Sequence, residues 1–126
     1  MISTVALVAL GGAIGAAARF LWGMGVLRVL GPQDFPLAII GANILGSFLM
    51  GVFVVMAAQK GLTQYAPFVM TGVLGGFTTF SAFSLETVTL IERGNIAAAG
   101  AYVALSVALS IGALMAGLWV ARGVLA

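Results

Sequence analysis

Apolar residues along this chain come in four long runs, separated by short polar stretches. The runs extend from about Ser3 to Leu27, Phe35 to Ala58, Tyr65 to Ile91 and Ile96 to Ala121. A helix needs about 20 apolar residues to cross a bilayer, and each run supplies that length. Gly31-Pro32-Gln33-Asp34 with Pro36 reads as a turn, as do Gln59-Lys60-Gly61 and Glu92-Arg93-Gly94-Asn95. The pattern predicts an all-α membrane protein, a single domain over residues 1–126 with four transmembrane helices. Ala16-Ala17-Ala18 imitates a signal-peptide cleavage site. No Lys or Arg precedes the apolar run, and the run continues past the site, so the first helix is read as retained.

Composition strengthens this reading. Hydrophobic residues make up 63% of the chain and charged residues 6%, against about 25% charged in a soluble domain. There is no Cys for disulfides or thiolate metal sites and no His for general-base work. Lys60 is the one lysine, and no GxxxxGK[ST] pattern surrounds it, which argues against nucleotide binding. The basic residues stand singly, with no patch suited to nucleic acid. No catalytic residues are expected.

Lys and Arg in short loops set membrane orientation. Lys60 and Arg122 fall on one side; Arg28 and Arg93 fall on the other, with Arg19 deeper in the same half. This near-balance points to insertion in both directions and hence to an antiparallel, dual-topology homodimer. The alternative is that a partner or lipid fixes one orientation.

Glycine is abundant, at 18 residues, and many lie at small-xxx-small spacing: Gly11 and Gly15, Ala42 and Gly46, Ser47 and Gly51, Gly72 and Gly76. Such spacing lets helix backbones approach closely in lipid. Residues 72–81, Gly-Val-Leu-Gly-Gly-Phe-Thr-Thr-Phe-Ser, are poor helix formers, each Gly costing about 1 kcal/mol against Ala. They predict a third helix broken near mid-membrane, or else a continuous helix packed closely through its glycines. A break would free carbonyls, which are tolerated in a bilayer only when buried in protein or lining a cavity.

Candidate chemistry clusters around that stretch. Asn43, in the middle of the second helix, either bonds across helices or lines a pathway. Phe80 and Phe83 share one helical face; they are packing residues, or rings whose electropositive edges face a small anion. Tyr102, Ser106 and Ser110 form a hydroxyl stripe at four-residue spacing. They serve as a donor track for an anion, or each bonds back to its own helix. Arg19 either snorkels or draws anions to a pore mouth. Glu86 is awkward beside an anion path unless paired or protonated, and its role stays open.

On these residues the chain resembles the small bacterial fluoride-channel family (Fluc, also called CrcB) over its whole length. The matching stretches are residues 11–19 (Gly-Gly-Ala-Ile-Gly-Ala-Ala-Ala-Arg), residues 41–48 (Gly-Ala-Asn-Ile-Leu-Gly-Ser-Phe) and, most specific, residues 75–84 (Gly-Gly-Phe-Thr-Thr-Phe-Ser-Ala-Phe-Ser). The resemblance implies a dual-topology homodimer in the inner membrane with two parallel pores, exporting fluoride passively and so limiting its toxicity. It implies that Asn43 is the pore amide, that Phe80 and Phe83 are paired rings near the dimer interface, and that Tyr102, Ser106 and Ser110 correspond to the hydroxyl track. It further implies that backbone carbonyls of Gly75 and Thr78 from both subunits hold a structural Na⁺ at the dimer centre. Ala82 stands where many relatives have Thr or Ser, which removes one hydroxyl near the pore.

Two other classes compete. A small proton-coupled multidrug exporter needs a carboxylate in its first helix, and this first helix carries only Arg19, which repels cations. A non-transporting scaffold has no use for a broken helix, a mid-membrane Asn and a hydroxyl stripe together.

Overall fold

The computed structural model describes residues 1–125. Helix α1 spans Ile2–Leu30 and α2 spans Leu37–Lys60. After a 3₁₀ turn at Thr63–Tyr65, α3 covers residues 67–77, as a π-helical run Pro67–Leu74 continued by one α turn, Gly75–Phe77. Helix α4 spans Phe80–Glu92 and α5 spans Ile96–Leu125. Counting Thr63–Glu92 as one composite span, four segments are long and apolar enough to cross a membrane.

Local chemistry sets the ends. Helices α1 and α5 outrun their expected ends at residues 27 and 121 because hydropathy marks only the hydrocarbon-facing length, while hydrogen bonding continues into the interface. Helix α1 stops where Gly31 turns to φ 73° and donates its N–H to the Leu27 carbonyl. Helix α2 begins at Leu37 rather than Phe35, because Pro36 biases its predecessor away from helical geometry. It runs to Lys60, where Gly61 supplies a left-handed cap.

Packing follows small residues. Helix α1 lies on α3, and α2 lies on α5. A Cβ on Gly11 would strike the Phe68 carbonyl, one on Gly15 the Val73 carbonyl, and one on Gly76 would sit 2.7 Å from the Gly12 carbonyl. The pairs Gly11/Gly15 and Gly72/Gly76, singled out by spacing, therefore meet each other across one seam. The α2–α5 seam has the same construction: Gly51 faces the Leu114 carbonyl and Gly117 faces the Phe48 carbonyl. Where lipid removes the hydrophobic drive between helices, close backbone packing is what holds them together. A small apolar core of Ile40, Leu90, Ala99 and Tyr102, flanked by Phe35 and Phe83, ties α4 to α2 and α5. Large apolar side chains such as Leu105, Leu109 and Trp119 face outward.

Candidate ion pathway

The site is built where α3 ends and α4 begins. Thr78 (φ −83°, ψ 158°) and Thr79 (φ −151°, ψ 124°) are extended. Two residues of extended backbone within a membrane-length span expose polar groups that must find partners. Asn43 satisfies Thr79 completely. Its Nδ2 donates to the Thr79 carbonyl (3.1 Å), and the Thr79 amide donates to its Oδ1 (2.8 Å). In an uninterrupted helix that amide would close on the Gly75 carbonyl, which is thus released. Arg19 reaches from α1 and donates from Nε to the Gly76 carbonyl (3.1 Å), placing a cation at the C-terminal end of α3 where the helix dipole favours one. The methyl group of Thr78 fills the space a side chain at Gly46 would need.

Thr79 also caps α4, its Oγ1 accepting the Ala82 amide at 3.1 Å. The sequence signal for this cap is a Thr directly before an apolar helical run.

An open cleft of about 380 Å³ lies against this junction. Asn43, Ser47, Thr79, Phe80, Phe83, Ser106 and Ser110 line it, with Met50, Ile111 and Leu114 as apolar wall. Five of the six expected pathway residues are therefore brought together: Asn43, Phe80, Phe83, Ser106 and Ser110. Tyr102 is not among the lining residues. It is fully buried behind Phe83, ring centroids 5.2 Å apart, and edge-on to Phe35 at 5.5 Å. Phe83 in turn lies 5.4 Å from Phe80 at an interplanar angle of 43°, so one aromatic row runs from Phe35 to Phe80. Phe80 is 78% exposed at its end. Ser47 is a cleft hydroxyl that the sequence reading missed as chemistry, treating it only as a small packing residue.

Two sets of hydroxyls contrast. Thr78, Ser84, Thr87 and Thr89 each donate back to a carbonyl four residues earlier, the ordinary resolution for a hydroxyl in a membrane helix. The hydroxyls of Tyr102, Ser106 and Ser110 are buried and have no partner among the described residues. Buried polar groups are nearly always paired, so such orphans need an explanation.

A second cleft, about 470 Å³, opens on the other side of Thr79, with Arg19, Trp22 and Ala82 in its wall. Trp22 is pinned there by its indole N–H on the Ala38 carbonyl (2.9 Å). Glu86 lines a third recess with Gln33 and Phe35, beside the α1–α2 connector. Among the described residues no group of three or more His, Cys, Asp or Glu forms a metal site.

The chain is similar to known proteins along nearly its full length. The family model described as CrcB-like protein, Camphor Resistance (CrcB), matches residues 6–118. A fluoride-specific ion channel FluC of Ruegeria sp. (strain TM1040) is 66% identical over 125 residues, covering 99% of each chain. One of Roseobacter denitrificans (strain ATCC 33942 / OCh 114) is 71% identical over 119 residues, covering 94% of each. One of Jannaschia sp. (strain CCS1) is 73% identical over 105 residues, 80% of this chain and all of that one. Four apolar spans mark a multi-pass membrane protein, and these matches show that it belongs to the CrcB-like family.

Proposed function

We propose that this chain is a fluoride channel that lets the ion leave the cytoplasm passively. The observation that carries the reading is the unpaired state of the Ser106 and Ser110 hydroxyls beside Asn43, Phe80 and Phe83 in one cleft. Fluoride is a small, strongly hydrated acceptor. Donors with nothing else to bond replace part of its water, and ring edges hold it without binding it too tightly to leave. Neutral hydrogen fluoride enters through lipid and ionises at cytoplasmic pH. A negative interior then drives the anion outward by about 2.3 kcal/mol per 100 mV. No energy source in the protein is required.

The working unit in this reading is an antiparallel homodimer, with the α3–α4 junction at mid-membrane. The balanced loop charges support it, and so does the exposure of Phe80 and Gly75 on the face next to the junction. A structural Na⁺ fits the same junction. The Gly75 carbonyl has lost its amide to Asn43, Thr78 is extended, and backbone carbonyls are the hard oxygen donors that such a cation prefers. Gly75 and Thr78 of each copy would hold it, and its charge would bind the two copies and offset the carbonyl dipoles. Asn43, Phe80, Phe83, Ser106 and Ser110 act on the ion directly, while Tyr102, buried behind Phe83, backs the ring from outside the cleft.

The test is fluoride efflux from liposomes holding the purified protein, read by electrode beside chloride. Fast fluoride loss without matching chloride loss is expected. Equal loss of both ions, or of neither, from well-folded protein refutes the reading.

A further inference from the structure

From the junction geometry we infer that fluoride is also held by backbone, through the free amides of Phe80 and Ser81 at the N-terminus of α4. This rests on the channel reading and names a further part of its ion site. A helix begins with amides that have no partner inside it, at the positive end of its dipole. Here the amides on either side are spoken for: Thr79 N–H goes to Asn43 and Ala82 N–H to the Thr79 hydroxyl. Those of Phe80 and Ser81 have no bond to any described residue. The second observation is Ser106. It is 5% exposed, its hydroxyl is unpartnered, and it lines the same cleft as Thr79 and Phe80. A buried orphan hydroxyl beside a positive helix end matches a small hard anion, which bonds to both.

The opposite end of the junction has opposite polarity. Carbonyls at the end of α3 take Arg19, and released carbonyls there suit a cation. The two halves of one interrupted span therefore sort charge by sign, as half-helices do in larger transporters. The ring edges of Phe80 and Phe83 are a weak attractor by comparison with a helix end.

Replacing the Phe80 amide N–H, or that of Ser81, with an ester oxygen removes a donor and leaves both side chains in place, while weakening the carbonyl before it, Thr79 bonded by Asn43 or Phe80 bonded by Ser84. Each ester protein and the unmodified protein are assembled in liposomes, and fluoride efflux is measured. Since the amides have no partner among the described residues and the weakened carbonyls keep theirs, the ester proteins are expected to melt within a few degrees of the parent and to lose about tenfold in fluoride flux, the effect of losing one charge-assisted hydrogen bond. Flux within about twofold of the parent overturns the inference. So does failure of both ester proteins to fold, since that would mean the amides hold the structure together instead of facing the ion. A parent that does not conduct refutes the channel reading itself, a separate outcome.

Discussion

Asn43 and Thr79 exchange two hydrogen bonds, the amide of one side chain matched to both backbone groups of one residue 36 positions away. The side chain thereby does for the extended backbone what a neighbouring strand would do in a sheet. One N–H of the amide is left for another partner. Replacing Asn43 with Leu, close in size, orphans both Thr79 groups. A loss of about 2–4 kcal/mol in stability is expected, together with loss of fluoride flux. Asn43→Asp keeps the acceptor for the Thr79 amide but sets a carboxylate oxygen against the Thr79 carbonyl and a negative charge beside the cleft, so its flux is expected to be as low as that of Asn43→Leu. Thermal melting in detergent and liposome efflux measure the two effects.

The unpaired serines give the opposite signature. Ser106→Ala and Ser110→Ala remove hydroxyls that bond to none of the described residues, so melting temperature is expected to hold or rise slightly. Fluoride flux is nevertheless expected to drop severalfold in each. Unchanged flux in both would eliminate the donor track.

The two phenylalanines separate by what lies behind them. Phe83 packs on buried Tyr102, whereas Phe80 is mostly exposed at the end of the aromatic row. Phe83→Ile is expected to cost about 1 kcal/mol in stability from lost aromatic packing, and Phe80→Ile next to nothing in an isolated subunit. Both are expected to cut flux while assembly survives, as size-exclusion profiles and efflux will report.

The glycines also divide. Gly15→Ala places a methyl group against the Val73 carbonyl, and Gly76→Ala one at 2.7 Å from the Gly12 carbonyl. Each is expected to destabilise the fold by about 1–3 kcal/mol through overpacking. Gly12→Ala and Gly23→Ala meet open space and are expected to melt like the parent.

The spans were legible because hydropathy over 20 residues is a strong signal, and the seam glycines were legible because spacing records close approach. Other features depend on tertiary partners. Nothing local announces the π-helical run Pro67–Leu74, whose wide turns place Gly72 and Gly76 on α1. Residues 72–81 left open a break or a tight helix. The choice turns on Asn43 and Arg19 being present to satisfy the backbone groups that extended Thr78 and Thr79 strand. Asn43 itself had two readings, and it both bonds across helices and stands in the cleft wall. Tyr102 shares a helical stripe with Ser106 and Ser110, but stripe position does not reveal what another helix lays over it; Phe83 and Phe35 cover it.

The two seams, Gly11 and Gly15 on α3 and Gly51 and Gly117 across α2 and α5, bring main chain against main chain. Main chain has no rotamers to exchange. Helices joined this way have their spacing fixed when the protein folds, and thermal motion can change it only by unseating whole helices. For an ion distinguished from chloride chiefly by radius and hydration, an unyielding gauge is worth more than an adaptable one. In the proposed channel, selectivity would then rest on helix spacing that cannot move, and only the rings and hydroxyls of the cleft would remain free to respond to the ion.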